Sequence, residues 1–227
     1  MNNEQKLAAE HEGGPLLVIA GPGTGKTTTL VGRYQYLLDK KITTNQILCC
    51  TFSRKAADEL KLRINSQTTS NDKSMFIGTF HALALRILKS IGTDIGFGQE
   101  LLIWSKDYER LSVIEDIQKK ENIKEYFETL ESEDAKPAAV LAYIDSVREE
   151  LLDPEDASIR ASEKGDKAEL AYCEVYREYD QYLEEQDKLD FPRMVQMAVK
   201  ALEHNAANGG SYLRKFKHVL VDEFQDI

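Results

Sequence analysis

An α/β fold is predicted, a parallel sheet flanked by helices and interrupted by a helical insertion, and three observations predict it. The first is an apolar run, Leu16–Ala20, that leads straight into Gly21-Pro22-Gly23-Thr24-Gly25-Lys26-Thr27 and then a helical stretch, Thr28–Leu38. Strand, glycine-rich turn and helix N-terminus in that order turn backbone N–H groups inward around an anion and add the positive end of a helix dipole. The second is that three more apolar runs, Ile47–Phe52, Met75–Phe80 and Val219–Val221, are each followed by polar or acidic residues. In an open parallel sheet, ligands gather at that C-terminal edge. The third is the stretch 91–188, acidic, helix-periodic and without strand-like runs. It separates Lys26 from Asp222 by 196 positions, as an insertion between strands would.

Taken in order, residues 1–12 suit a short helix with Asn3 as its N-cap, and Gly13-Gly14-Pro15 set it off from the first strand. The helix after the glycine loop carries Leu30, Tyr34, Leu37 and Leu38 at helical spacing. Beyond the second strand, Ala56, Ala57, Leu60 and Ile64 share one helical face, and Gln67–Ser74 is a polar loop. The third strand runs into His81 and an apolar helix, and Gly92–Gly98 breaks the pattern. In the insertion, Val140, Ile144, Val147 and Leu151 form one face, and Asp153-Pro154 opens a helix. Tyr172, Tyr176, Tyr179 and Leu183 form an aromatic stripe, read as helix packing rather than a ligand box. Leu189-Asp190-Phe191 opens a further helix through Met194, Met197, Ala198 and Leu202, and Asn205–Ser211 is a loop before the last strand.

The net charge of −10 is unevenly spread. Residues 1–90 hold 12 Lys and Arg against 7 Asp and Glu, residues 91–190 hold 12 against 28, and residues 191–227 hold 5 against 4. The acidity belongs to the middle, and the mildly basic first part leaves room for a polyanion. No apolar run approaches a membrane span and no signal pattern opens the chain. Cys49, Cys50 and Cys173 form no C-x-x-C pair, so neither a zinc site nor a disulfide framework is indicated, and a cytoplasmic location is expected.

The chemistry concentrates in two places. Lys26 is placed to reach the β- and γ-phosphates of a nucleotide, and the Thr27 hydroxyl to sit on Mg²⁺. The first position of the G-x-x-x-x-G-K-T pattern is Ala20, a tolerable change where the strand only has to end. Val219-Leu220-Val221-Asp222-Glu223 is an apolar strand closed by two acids: Asp222 suits a metal ion held through water, Glu223 the positioning of an attacking water. Plainer readings stand beside these. Strand ends often carry acids, Phe52 and Phe80 fit a core, and His81 fits a helix cap.

Five segments then carry a resemblance to the N-terminal portion of superfamily 1 DNA helicases of the UvrD/Rep type. Asn3-Glu4-Gln5 resembles the Q motif, Ala20–Thr27 motif I, Thr51–Ile64 motif Ia, Gly78–Leu88 the next DNA-facing segment, and Val221–Asp226 motif II. Leu189-Asp190-Phe191 is similar to a shorter family segment. The resemblance implies a P-loop NTPase (RecA-like) domain over 1–90, an inserted all-helical acidic subdomain over 91–188, and a return to the first domain over 189–227. It implies Mg²⁺-ATP held by Gln5, Ala20, Gly21, Gly23, Thr24, Gly25, Lys26, Thr27 and Thr28, with Gln5 on the adenine. Thr27 and Asp222 would hold the metal, and Lys26, Glu223 and Gln225 would serve catalysis. Thr51, Phe52, Ser53, Thr79, Phe80 and His81 would line a single-stranded DNA track. Many relatives carry Arg at the position of Thr28, which leaves base selectivity open. The implied activity is 3′→5′ unwinding at single-strand/duplex junctions by a longer protein with a second RecA-like domain. This stretch alone is expected to read as a fragment that does not unwind. A phosphotransferase unrelated to DNA and a non-catalytic interaction module are the competing readings.

Overall fold

The computed structural model describes residues 1–67, 75–98 and 100–226. In chain order the elements are α1 (Asn3–Ala9), α2 (Lys26–Asp39), β1 (Ile47–Thr51), α3 (Arg54–Gln67), β2 (Phe76–Thr79), α4 (Phe80–Ile91), β3 (Leu102–Trp104), α5 (Asp107–Gln118), α6 (Glu121–Phe127), α7 (Pro137–Glu149), α8 (Pro154–Lys164), α9 (Lys167–Glu185), β4 (Lys188–Asp190), α10 (Phe191–Ala207) and β5 (His218–Val221). They form two compact units, Met1–Leu83 with Asn205–Ile227, and Ala84–His204. Most of the polar loop expected at Gln67–Ser74 lies outside the described residues.

The first unit is built on a three-stranded parallel sheet of order β2-β1-β5. β1 is buried along its whole length, as a central parallel strand covered on both faces must be. Ile47, Cys49 and Ile77 meet Val31, Tyr34 and Leu37 of α2 and Leu60 and Ile64 of α3 in one core. The helical spacing of those positions is what puts them on the buried side. α1 is capped by Asn2, one residue before the expected cap. The Asn2 side chain accepts from Gln5 N at 2.8 Å, and Gln5 Oε1 accepts from Asn2 N at 2.9 Å. Arg33 of α2 holds the end of α1 by donating to the carbonyls of Ala9 (3.1 Å) and His11 (2.6 Å).

One expected strand is absent. Leu16–Ala20 joins no ladder, and Leu17 and Ile19 stand 68% and 90% exposed. An apolar run becomes a strand only where a neighbour takes its backbone hydrogen bonds. Here an open cavity of about 1090 Å³ separates the run from β5, whose outer edge is likewise unpaired.

The second unit is mainly helical, but it is not strandless as expected. β3 and β4 pair in parallel, Leu102 opposite Lys188 and Trp104 opposite Asp190. Leu189-Asp190 therefore ends a strand, and α10 begins only at Phe191. Val140, Ile144 and Val147 join the tyrosine stripe of α9 in the core, with Ile114, Ile117 and Ile123. Leu151 does not: α7 ends at Glu149, and Leu151 takes φ +63° and is exposed.

At the centre of this unit lies a buried charge network. Asp190 and Arg148 are fully buried and Arg110 and Arg193 nearly so. Arg148 Nη1 donates to both Asp190 oxygens (3.0 and 2.8 Å) and its Nη2 to Asp180 (2.8 Å). Arg110 reaches Asp190 at 3.1 Å and pairs bidentately with Asp145. Tyr179 Oη donates to Asp190 at 2.9 Å, and Arg193 Nε faces Asp180 at 3.0 Å. Burial alone would raise the Asp190 carboxyl; Arg148 and Arg110 overcome it and hold it below its ordinary value.

All three cysteines are buried free thiols. Burial pushes Cys49 and Cys173 up and takes Cys50 to about 11.

Candidate functional site

The glycine loop turns through Gly23 and Gly25, at φ +73° and +92°, a region that only glycine enters freely. Thr24 Oγ1 tightens the turn by donating to the Gly21 carbonyl at 2.7 Å. Gly25 is the N-cap of α2, and its carbonyl accepts from Thr29 N (2.9 Å) and Thr29 Oγ1 (3.1 Å). Lys26, Thr27 and Thr28 are thus the first residues of a 14-residue helix, with Lys26 and Thr27 half-buried and Thr28 exposed. Ala20 is half-buried, while Gly21, Gly23 and Thr24 face solvent. Gln5 reaches this loop: its Nε2 donates to the Thr24 carbonyl at 2.8 Å. Both ends of that carboxamide are therefore engaged within the chain. A Cβ on Gly25 would lie 2.6 Å from Gln5 Nε2, which is a second reason for glycine there.

The acids at the end of β5 complete the arrangement. Lys26 Nζ stands 3.9 Å from Glu223 Oε1, and Gln225 Nε2 donates to Glu223 Oε2 at 2.5 Å. Glu223 takes φ +51°, a strained conformation for a side chain of its size. Asp222 N donates to the Cys50 carbonyl at 2.9 Å, which fixes its backbone against β1. Burial, then the charge of Glu223, pushes the Asp222 carboxyl up, with Lys26 acting the other way. A half-buried acid held against a second acid is a place where a divalent cation lowers the energy of the charged form. A magnesium ion needs only one or two protein oxygens beside phosphate and water, so Thr27 and Asp222 fit that demand. The cavity beside them is lined by Lys26, Asp222 and Glu223 on its polar side and by Leu16, Val18 and Val219 on its apolar side.

The second set of residues sits at the ends of β1 and β2, where Thr51 and Thr79 are register partners. Phe52 is 62% exposed, so it is not a core residue, while Phe80 is half-buried. Ser53 Oγ accepts from Ala56 N at 3.1 Å and Thr79 Oγ1 from Ala82 N at 3.2 Å. Both hydroxyls cap the helix that follows and keep their own protons to donate. His81 is exposed; partial burial and then Arg54 lower its pKa. Thr51 is fully buried.

Two features go beyond what the motifs imply. One is the tie from Gln5 to the loop carbonyl. The other is the role of Asp190 as the hub of the charge network. Its signal is present in the helical spacing: Arg148 follows Ile144 by four, which places an arginine on an apolar face.

A lysine at a helix N-terminus facing paired strand-end acids defines a site suited to a phosphate chain with a divalent cation. The family model of the UvrD/REP helicase N-terminal domain matches residues 1–227, and the chain belongs to that family. It is 34% identical, over 227 residues, to the ATP-dependent DNA helicase PcrA of Staphylococcus epidermidis, covering all of this chain and 30% of that protein. It is 33% identical, over 229 residues, to the ATP-dependent DNA helicase UvrD1 of Mycobacterium tuberculosis, covering all of this chain and 28% of the relative. The chain thus spans about 30% of the length of these relatives. Among the described residues no helix is long and apolar enough to cross a membrane.

Proposed function

We propose that the chain is the ATP-binding N-terminal part of an ATP-dependent DNA helicase with a RecA-like fold, working 3′→5′ in the cytoplasm with a second RecA-like domain. The observation that carries this reading is the meeting of Lys26 and Glu223, 3.9 Å apart, beside Asp222 and at the N-terminus of α2. In this reading the backbone N–H groups of Gly23, Gly25, Lys26 and Thr27 and the Lys26 ammonium cradle the β- and γ-phosphates. Thr27 and Asp222 would hold Mg²⁺, which would supply neutralisation of the phosphate charge. Glu223 orients the attacking water and takes up its proton, and Gln225 holds the Glu223 carboxylate in place. Lys26 then exchanges its carboxylate partner for phosphate oxygens, which leaves Glu223 Oε1 free for the water. Gln5 keeps the loop closed through Thr24 and has its second Nε2 proton to donate to the base, with Thr28 alongside. Phe52 gives a base a stacking face, while Ser53, Thr79, Phe80 and His81, backed by Thr51, line the same single-strand track up to the duplex junction. The acidic middle stretch, 91–188, folds as a helical insertion whose outer faces repel phosphate.

The test is a titration of this chain with a fluorescent ATP analogue, with and without Mg²⁺. Saturable, Mg²⁺-dependent binding that Lys26→Ala removes is expected. Equal affinity in the variant would sink the phosphate-cradle assignment. A labelled oligonucleotide tests the track separately: Phe52→Ala should weaken single-strand binding and leave nucleotide binding intact.

A further inference from the structure

Thr51 closes β1 at the site edge of the sheet and is fully buried, yet its Oγ1 has no hydrogen-bond partner among the described residues. A buried hydroxyl left unpaired is costly, and such groups in native folds usually answer to a water, an ion or a function. Its place in the sheet says which. On one side Thr79 is its register partner. On the other, the ladder with β5 ends at the pair Cys50–Val221, whose last bond runs from Asp222 N to the Cys50 carbonyl at 2.9 Å. Thr51 and Asp222 are the next residues after that pair on neighbouring strands, which brings them side by side at the sheet edge.

The two side chains also share a face. Successive residues of a strand alternate, so Thr51 points to the same side as Cys49. Neighbouring positions in a parallel sheet point to the same face, so Asp222, beside Thr51, shares that face. Neighbouring strands lie about 4.8 Å apart, so a hydroxyl and a carboxylate side by side at their ends are within one-water reach.

We propose that Thr51 is a positioning residue for the metal site: its hydroxyl donates to the Asp222 carboxylate through one water and aims it at the cation. The inference rests on reading Asp222 as the Mg²⁺ partner. It turns Thr51 toward the metal site rather than toward a nucleic-acid strand.

The experiment measures the Mg²⁺ dependence of fluorescent ATP-analogue binding, and the melting temperature, for this chain and for Thr51→Val, Thr51→Ser and Asp222→Asn. Thr51→Val, which keeps the shape and removes the hydroxyl, should raise the half-effective Mg²⁺ concentration about tenfold, the size of one hydrogen bond to a charged group. It should leave metal-free nucleotide affinity and melting temperature unchanged, and Thr51→Ser should restore the Mg²⁺ response. A Thr51→Val protein with the normal Mg²⁺ response, where Asp222→Asn has lost it, overturns the inference and spares the Asp222 reading. An Asp222→Asn protein with the normal response overturns both. Loss of Mg²⁺ response in Thr51→Val and Thr51→Ser alike, with a lowered melting temperature, assigns Thr51 to packing and overturns the inference too.

Discussion

Asp190 ends one parallel strand and Asp222 follows the end of another, and the molecule treats them in opposite ways. Asp190 is fully buried, is met by two arginines, a tyrosine hydroxyl and a backbone N–H, and is held charged. Asp222 is half-buried, sits next to a second acid and resists ionisation. A buried carboxylate whose every lone pair is met serves the fold. One left with charge to spare at a sheet edge is poised for something the chain does not itself supply. The contrast gives the two units different roles. In the second, a buried acid ties helices together; in the first, the acids stand at a rim.

The largest effect should come from Asp190→Ala. It strands Arg148 and Arg110 in the interior, and losing one partner of a buried network typically costs about 3–5 kcal/mol. Urea unfolding followed at Trp104, the only tryptophan and a resident of the second unit, should show it. A loss under about 1 kcal/mol, the level of an exposed pair, would mean the network is incidental, and the contrast with Asp222 would fail.

Acid sharpens the same comparison because the two shifts have opposite signs. The folded pKa of Asp190 lies below its unfolded value, about 3.9. Its stabilisation is therefore full above that value and is lost as pH falls through the folded pKa. Asp222, raised in the fold, costs stability at neutral pH, and protonation relieves that cost. The Trp104 transition should weaken in acid, and Asp190→Ala should flatten that dependence. A flat profile in the unaltered chain would contradict the assignment.

Smaller effects are expected at the rim. Glu223→Gly should be more stable than Glu223→Ala by about 1 kcal/mol, since only glycine enters φ +51° without strain. Thermal melts of the pair decide this, and equal stability would mean the backbone relaxes freely. Asp222→Asn, which removes one of two adjacent charges, should stabilise the chain by about 0.5 kcal/mol at pH 7. The gain should shrink as pH drops, and destabilisation would show that the carboxylate serves packing after all.

What can be read from residue order is local. The glycine loop, the helices that begin at Lys26 and Arg54, and the tyrosine face of α9 follow from spacing and from φ preferences within a few residues. What cannot be read depends on partners far along the chain. Leu16–Ala20 has the composition of a strand, but pairing is a property of its neighbour, and that neighbour position is open. β3 and β4 are three residues each and exist because Trp104 meets Asp190, 86 positions apart in number. At the site, Lys26, Asp222 and Glu223 are legible because each carries a motif. Thr51 reads as a surface contact in the sequence for the converse reason: only the register with Asp222 reveals which way it faces.

The buried thiols give the molecule a clock for each of its halves. Cys49 and Cys50 lie in β1 and Cys173 lies in α9, so the three divide between the two units. Reagents attack thiolate, and these thiols are both covered and hard to ionise. Alkylation must therefore wait for the surrounding element to open. Mass spectrometry that counts label on each peptide would time the breathing of the sheet separately from that of the helical unit. A ligand that closes the rim should slow the first clock and leave the second running.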